Sequence, residues 1–375
     1  YGYRYNRKDF CWRYEDMIIE VRVNNCFSFS EPIVFSMKAD MRNKKFASNV
    51  HKETNFNILK TAGIYGPNNA GKTCLVKCIR SIVNVFLNQN PAIKSNIFTK
   101  SSICQMGISF LVDGREFSYD FWYDTMKKEY PYEEFKEILK DQYGNEKEVV
   151  WLLKDSVNSN YQYEDEELTK MIPLVSQSNL LVYLVDTSKF KYLAEMKELI
   201  VKFASKVDIV DMNNIPMERT INLMKNKNDL QKKVVEFIKN ADLYMDDYAY
   251  VDMDKIHVKV ENMDERPEEK VLNIPEQIID QIRLVSVYKG IPVPSILFDS
   301  TGTKKIAALA SYIIEGLENG RILVVDELDS SIHFKLTRAI VAMFNNELNS
   351  NSQLIFTVHD INLMDCKKMF RKEQI

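Results

Sequence analysis

The sequence predicts an α/β protein with a mixed central sheet, an antiparallel β lobe and a helical insertion, and three observations carry that expectation. Apolar strand patterns alternate with helical ones near both ends, ILKTAGIY before TCLVKCIRSIVNVFL, and RILVVDE and SQLIFTVH around TRAIVAMFNNEL. Strands buried between helices read this way. Residues 106–123 alternate apolar and polar side chains about Asp113-Gly114, the mark of a tight antiparallel hairpin. Helical spacing recurs between these regions, in KFKYLAEMKELIVKFASKV and in NDLQKKVVEFIKNADLY, where Leu230, Val234, Phe237 and Ile238 share a face.

Taken in order, YGYRYNRKDFCWRYED mixes aromatic and charged residues without a period, so residues 1–16 are expected to be an N-terminal extension, flexible or strand-pairing. From Met17, Ile19, Val21 and Val23 alternate with Glu20, Arg22 and Asn24, a half-buried strand, and FSEPIVFSMKA continues the β character. A strand ending at Tyr65, a Gly- and Asn-rich turn and a helix with Leu75, Ile79, Ile82 and Val83 on one face follow. Residues 17–125 are expected to form an N-terminal lobe and 126–285 an inserted β and helical region. Within the latter, 124–180 reads as irregular strands and loops, with a solvated acidic run from Glu164 to Glu167; the two helices part near Pro216, and a polar β pair is expected near 248–260. Residues 286–375 are expected to form the C-terminal lobe, with a helix opened by DSTGTKK and closed at Gly320 before the last two apolar strands.

Length and composition bound the function. The chain has 375 residues, 45% hydrophobic and 27% charged, enough for a sizeable core. A net charge of −3 gives no global attraction to nucleic acid or to an anionic membrane. Cys11, Cys26, Cys74, Cys78, Cys104 and Cys366 form no CxxC pair or Cys/His metal spacing, so a reducing, cytoplasmic setting is expected. Neither a membrane-length apolar run nor a signal-peptide succession is read from the sequence.

The strongest chemical signal is GPNNAGKT, Gly66 to Thr73, which fits G-x-x-x-x-G-K-[ST] between a strand and a helix. Gly66, Pro67, Asn68, Asn69, Ala70, Gly71, Lys72, Thr73 and Cys74 are the expected phosphate-binding stretch, with backbone N–H groups at the helix start, Lys72 on the β and γ phosphates and the Thr73 hydroxyl on Mg²⁺. ILVVDE ends a buried strand in two carboxylates, which needs a ligand or an exposed strand end to be tolerated. Beside a phosphate loop the first reading assigns Asp326 to Mg²⁺ and Glu327 to the attacking water. His359, at the C-terminus of the next strand, is placed to donate to a phosphate or to that water, whereas His333 reads as structural. Ser300 and Gly302 open another helix, a second anion-binding start far away in sequence.

This succession resembles the ABC-type ATPase superfamily, a branch of P-loop NTPases. MIIEVRVNNCFSFSEPIVFSM, AGIYGPNNAGKTCLVKCI, STGTKKIAALA, ILVVDELDSSIH and QLIFTVHDINLMD are similar to AAA-domain ATP-binding proteins of the OLD-like group, over most of residues 17–375. The resemblance implies ATP and Mg²⁺ as cofactors and a head-to-tail homodimer in which Ser300 and Gly302 reach the γ-phosphate in trans. Asp329 would be the D-loop aspartate at that interface and His359 the switch histidine. STGT stands where transporters have LSGGQ, which points away from a transporter motor. Gln105 is the weak candidate for a Q-loop glutamine, and with the chain ending in MFRKEQI no TOPRIM nuclease domain is expected. The implied function is a nucleotide-gated ATP-hydrolysing switch of a prokaryotic anti-phage or toxin-like system, acting with a separate effector protein. The alternatives are an SMC-like ATPase of DNA repair or chromosome organisation, marked by a long coiled coil between the phosphate loop and Ser300, and a nucleotide-sensing scaffold with little turnover.

Overall fold

Alternation from Met17 onward builds β1 (Met17–Asn24), in which Val21 and Val23 are buried and Glu20 and Arg22 face partly outward. The computed structural model describes residues 16–53, 56–140, 145–226, 228–241, 244–251, 275–363 and 369–375. The extension expected over 1–16 therefore lies, but for Asp16, outside the described residues, and so does residue 252 onward of the β pair expected near 248–260. After β1 come β2 (Ile33–Ser36), β3 (Val50–Glu53), β4 (Phe56–Leu59), β5 (Thr61–Tyr65) and α1 (Lys72–Phe86). Then follow β6 (Ile103–Val112), β7 (Arg115–Asp124), β8 (Glu129–Lys140), β9 (Glu146–Asp155) and β10 (Asn160–Tyr163). The middle of the chain gives α2 (Glu166–Met171), α3 (Leu181–Leu184), α4 (Lys191–Ser205), β11 (Val207–Asp211), α5 (Glu218–Lys225), α6 (Asp229–Ala241) and β12 (Asp247–Tyr250). The rest gives α7 (Glu276–Arg283), β13 (Leu284–Tyr288), β14 (Ile291–Pro294), α8 (Ser295–Phe298), α9 (Thr301–Asn319), β15 (Ile322–Asp326), α10 (Phe334–Phe344) and β16 (Gln353–Val358).

The α/β architecture is present, with parallel and antiparallel pairing divided between two main sheets. One is seven-stranded and antiparallel, in the order β10-β9-β8-β7-β6-β1-β2; the other is four-stranded and parallel, β11-β15-β16-β5. Alternate residues of β15 point to opposite faces, as pleating requires. Ile322 and Val324 join a core shared with α1, α4 and the antiparallel sheet, where Phe110 and Phe203 stack with ring centroids 4.3 Å apart. Leu323 and Val325 join a second core with α5, α6, α9 and α10. The Gln353 side chain ties the sheets together: it accepts from the Ile18 N–H at 3.0 Å and donates to the carbonyls of Ile18 and Leu59 at 3.0 and 3.1 Å.

Two expectations about the middle of the chain need correction. Residues 129–140 and 146–155, expected to be irregular strands and loops, are two long paired strands, β8 and β9. Their apolar alternation is broken because Glu133 and Lys154, cross-strand partners, are buried against each other at 2.8 Å. Such burial is tolerated only when the charges are paired. Residues 207–211, expected within the insertion at 126–285, form β11, the outer strand of the parallel sheet.

Candidate functional site

The parallel sheet aims the ends of β5, β11, β15 and β16 in one direction, and the residues just beyond them build the site, as ligand crevices of open α/β sheets are built. Residues 66–71 turn from β5 into α1 with Asn69 and Gly71 in the left-handed region, at φ 66° and 93°. Gly71 caps α1, and a Cβ there would lie 3.0 Å from Ser28 Oγ and 3.1 Å from Phe29 Cε1, so both conformation and space require glycine. The first turn of α1 has no acidic residue and no side-chain cap, which leaves its N–H groups available to an anion. Lys72 is buried and folds back, donating to the carbonyls of Gly66 at 2.7 Å and Pro67 at 3.0 Å.

The facing wall comes from β15 and β16. Asp326 ends β15 buried, its Oδ1 accepting from the Thr357 hydroxyl at 2.6 Å; the same hydroxyl oxygen accepts the Glu327 N–H at 2.7 Å. Glu327 is left-handed at φ 57°, a conformation that costs a non-glycine residue about 1–3 kcal/mol and gathers at functional sites. The turn sends its side chain into the cleft while Asp326 stays inside. His359 Nε2 lies 3.4 Å from Glu327 Oε1. Residues 68–74, Glu327 and His359 all line one cleft of about 1180 Å³, large enough for a nucleotide. An adjoining cavity of about 370 Å³ is bordered by Thr73, Asp211 and Asp326, so Thr73 faces both spaces. Among the described residues there is no group of three or more His, Cys, Asp or Glu that could hold a metal. One hydroxyl and one or two carboxylates fit Mg²⁺, which keeps much of its water and takes phosphate oxygens.

The structure thus brings together Lys72, Thr73, Cys74, Glu327 and His359 in the cleft, with Asp326 next door and Gly66 and Pro67 holding the lysine. Ser300 and Gly302 line neither space. Ser300 is exposed at the start of α9, its Oγ accepting the Thr303 N–H at 3.1 Å. A Cβ on Gly302 would lie 2.6 Å from the Ser331 carbonyl oxygen. Asp329 accepts the N–H groups of His359 and Asp360, each at 2.9 Å, and so pins the end of β16. Gln105 does not reach the cleft: it sits in β6 and accepts from Asn24 Nδ2 at 2.9 Å. His333 caps α10, its Nδ1 accepting the Lys335 N–H at 3.1 Å, the structural role expected of it.

Four residues near the site were missed. Thr357 is the one hydroxyl in QLIFTV, a visible signal. Asp211 is the register partner of Asp326, evident only once β11 is known to join the sheet. Asn213 donates to Glu327 Oε2 at 2.8 Å. Asp299 accepts from the hydroxyls of Ser286 and Ser295 at 2.6 Å and Tyr288 at 2.9 Å, anchoring the residue before Ser300.

Comparison with known proteins agrees with a nucleotide-binding core. The family described as "AAA domain, putative AbiEii toxin, Type IV TA system" matches residues 62–365. No curated protein matches the chain. Similar solved structures include an SMC head domain from Thermotoga maritima, at 14% identity and a TM-score of 0.43, covering 93% of this chain and 91% of that one. An SmcHead bound to the C-winged helix domain of ScpA has 12% identity and a TM-score of 0.48, covering 92% and 91%. The Smc head with an extended coiled coil bound to the C-terminal domain of ScpA, from Pyrococcus furiosus, has 12% identity and a TM-score of 0.42, covering 93% and 91%.

Proposed function

The chain belongs to this AAA-domain family, and on that premise we propose that it is a Mg²⁺-dependent ATP hydrolase of ABC and OLD-like type. It would work as a nucleotide-gated dimeric switch of a prokaryotic anti-phage or toxin-like system, with a separate effector protein. One juxtaposition carries the reading: the phosphate loop with Lys72 and the Glu327–His359 pair border the same cleft.

The residues divide the chemistry as follows. Loop N–H groups and the start of α1 bind the phosphates, and Lys72 exchanges two carbonyl acceptors for phosphate oxygens. Thr73 and Asp326 would hold Mg²⁺, which when bound neutralises charge developing on the phosphates. Glu327 takes a proton from water as the water oxygen bonds to the γ-phosphorus and the bond to ADP breaks; phosphate and ADP leave, and the proton passes to solvent. His359 donates to the γ-phosphate or orients the water. Thr357 holds Asp326 and the Glu327 N–H in fixed relation.

Dimerisation is supported by where Ser300 lies. Exposed at the N-terminus of a helix of 19 residues and away from its own chain's cleft, it offers anion-binding donors to a second copy. Moving such an equilibrium from 1:99 to 99:1 takes about 5.5 kcal/mol of differential binding, within reach of charged contacts made only in the closed dimer. Among the described residues between Lys72 and Ser300 no helix exceeds the 15 residues of α1 and α4, about 22 Å, which favours a switch over an SMC-like arm.

The test is ATP turnover and ATP binding by two variants. Lys72→Ala is expected to abolish binding. Glu327→Gln is expected to keep binding, lower turnover at least about 100-fold and trap an ATP-bound dimer. Unimpaired turnover by Glu327→Gln would remove the assigned base; slow wild-type turnover with tight binding would favour a nucleotide-sensing scaffold.

A further inference from the structure

We propose that Asn213 is a positioning residue for Glu327 and couples it to the start of α9; the proposal rests on the reading of Glu327 as the base. After β11 the chain turns, and the Asn213 N–H is fixed on Asp211 Oδ1 at 2.9 Å. The exposed Asn213 side chain then bridges two segments more than a hundred residues away in sequence. Its Nδ2 donates to Glu327 Oε2 at 2.8 Å, and its Oδ1 accepts from the Ser330 hydroxyl at 3.1 Å. That hydroxyl oxygen accepts in turn from Lys305 Nζ at 3.1 Å, on the first turns of the helix that Ser300 caps.

The geometry suits a carboxylate that must point at one water. A glutamate side chain has three rotatable bonds and loses about 1.5–2 kcal/mol of rotamer entropy when fixed, so an unsupported Glu327 would wander. Here one oxygen is held by the Asn213 amide and the other faces His359 at 3.4 Å. A neutral amide holds a carboxylate without competing for the proton it must accept, as an aspartate would, and without lowering its basicity, as a lysine's positive charge would. Both polar atoms of the amide are engaged, one by the base and one by the segment under α9, so a displacement of α9 is transmitted to Glu327. In a head-to-tail dimer α9 faces the partner's nucleotide, and the chain of contacts then links one composite site to the base of the other.

Asn213→Ala is predicted to lower kcat about tenfold with ATP affinity unchanged, because binding is carried by the phosphate loop. Asn213→Asp is predicted to lose more, about 100-fold, since a second carboxylate repels Glu327. Ser330→Ala, which keeps the contact to Glu327 and cuts the link to Lys305, is predicted to lose less than Asn213→Ala and to add nothing to it. In a Glu327→Gln background Asn213→Ala should have no further effect, the signature of residues acting as one unit. An unchanged kcat for Asn213→Ala while Glu327→Gln is inactive overturns the proposal and leaves the assigned base standing. Equal losses in both backgrounds reveal a merely structural role and also overturn it. Full turnover by Glu327→Gln overturns the base and the proposal together.

Discussion

At the scale of single residues, the turn after β15 is held by several constraints at once. Thr357 satisfies both Asp326 Oδ1 and the Glu327 N–H, so Thr357→Val, nearly isosteric, strands a carboxylate oxygen and a backbone donor. Each loss costs about 1–3 kcal/mol, and the variant is predicted to be less stable by that order in denaturant unfolding and to bind ATP with weaker Mg²⁺ dependence. Gly302→Ala places a methyl 2.6 Å from the Ser331 carbonyl, backbone that cannot swing aside, and is predicted to cost about 1–3 kcal/mol and to lower turnover by disturbing the 327–331 turn. The residues legible from sequence were those whose neighbours in the chain define them: GPNNAGKT, Asp326 and Glu327 at a strand end, and His359 at another. Asn213, Asp211 and Asp299 were not legible, because their roles come from partners such as Glu327 and Ser286 that only the fold brings near.

At the scale of elements, strands escaped detection wherever charge pairing replaced apolar alternation. In β11, Asp208 carries ion pairs to Arg219 and Arg321 at 2.9 and 2.5 Å, and the VDIVD pattern alone does not say which sheet it joins. In β8 and β9 the Glu133–Lys154 pair, also bound by the Tyr119 hydroxyl and the Leu181 N–H, replaces two apolar side chains. Glu133→Gln is therefore predicted to cost about 3–5 kcal/mol in denaturant unfolding by leaving a buried ammonium without its counter-charge, and the double variant Glu133→Leu with Lys154→Met to recover only part of it, because the Tyr119 hydroxyl and the Leu181 N–H lose their acceptor. The hairpin of β3 and β4 has its own pH dependence. Burial, with Lys60 nearby, lowers the pKa of His51 to about 3, and its Nε2 lies 3.2 Å from the Ser352 carbonyl oxygen. The unfolded chain binds a proton near pH 6.5 that the folded chain refuses. Stability is thus fully present above pH 6.5 and lost as pH falls toward about 3, by up to about 1.4 kcal/mol per pH unit. His51→Phe should flatten that part of a pH series of melting temperatures.

At the scale of the whole molecule, α1 packs between the two sheets and delivers the phosphate loop to the edge where β15 and β16 end. The antiparallel sheet thereby braces one wall of the cleft, and Gln353 fixes it to the other. Ser300, at the start of its helix, is exposed and outside the cleft lining, where a second copy can use it. Mixing Ser300→Arg protein with Lys72→Ala protein tests this most directly, since a mixed dimer holds one composite site with both an intact loop and an intact Ser300. ATP turnover in the mixture is predicted to rise well above the sum of the two inactive variants. Turnover equal to that sum, with mixed dimers demonstrably formed, would contradict it.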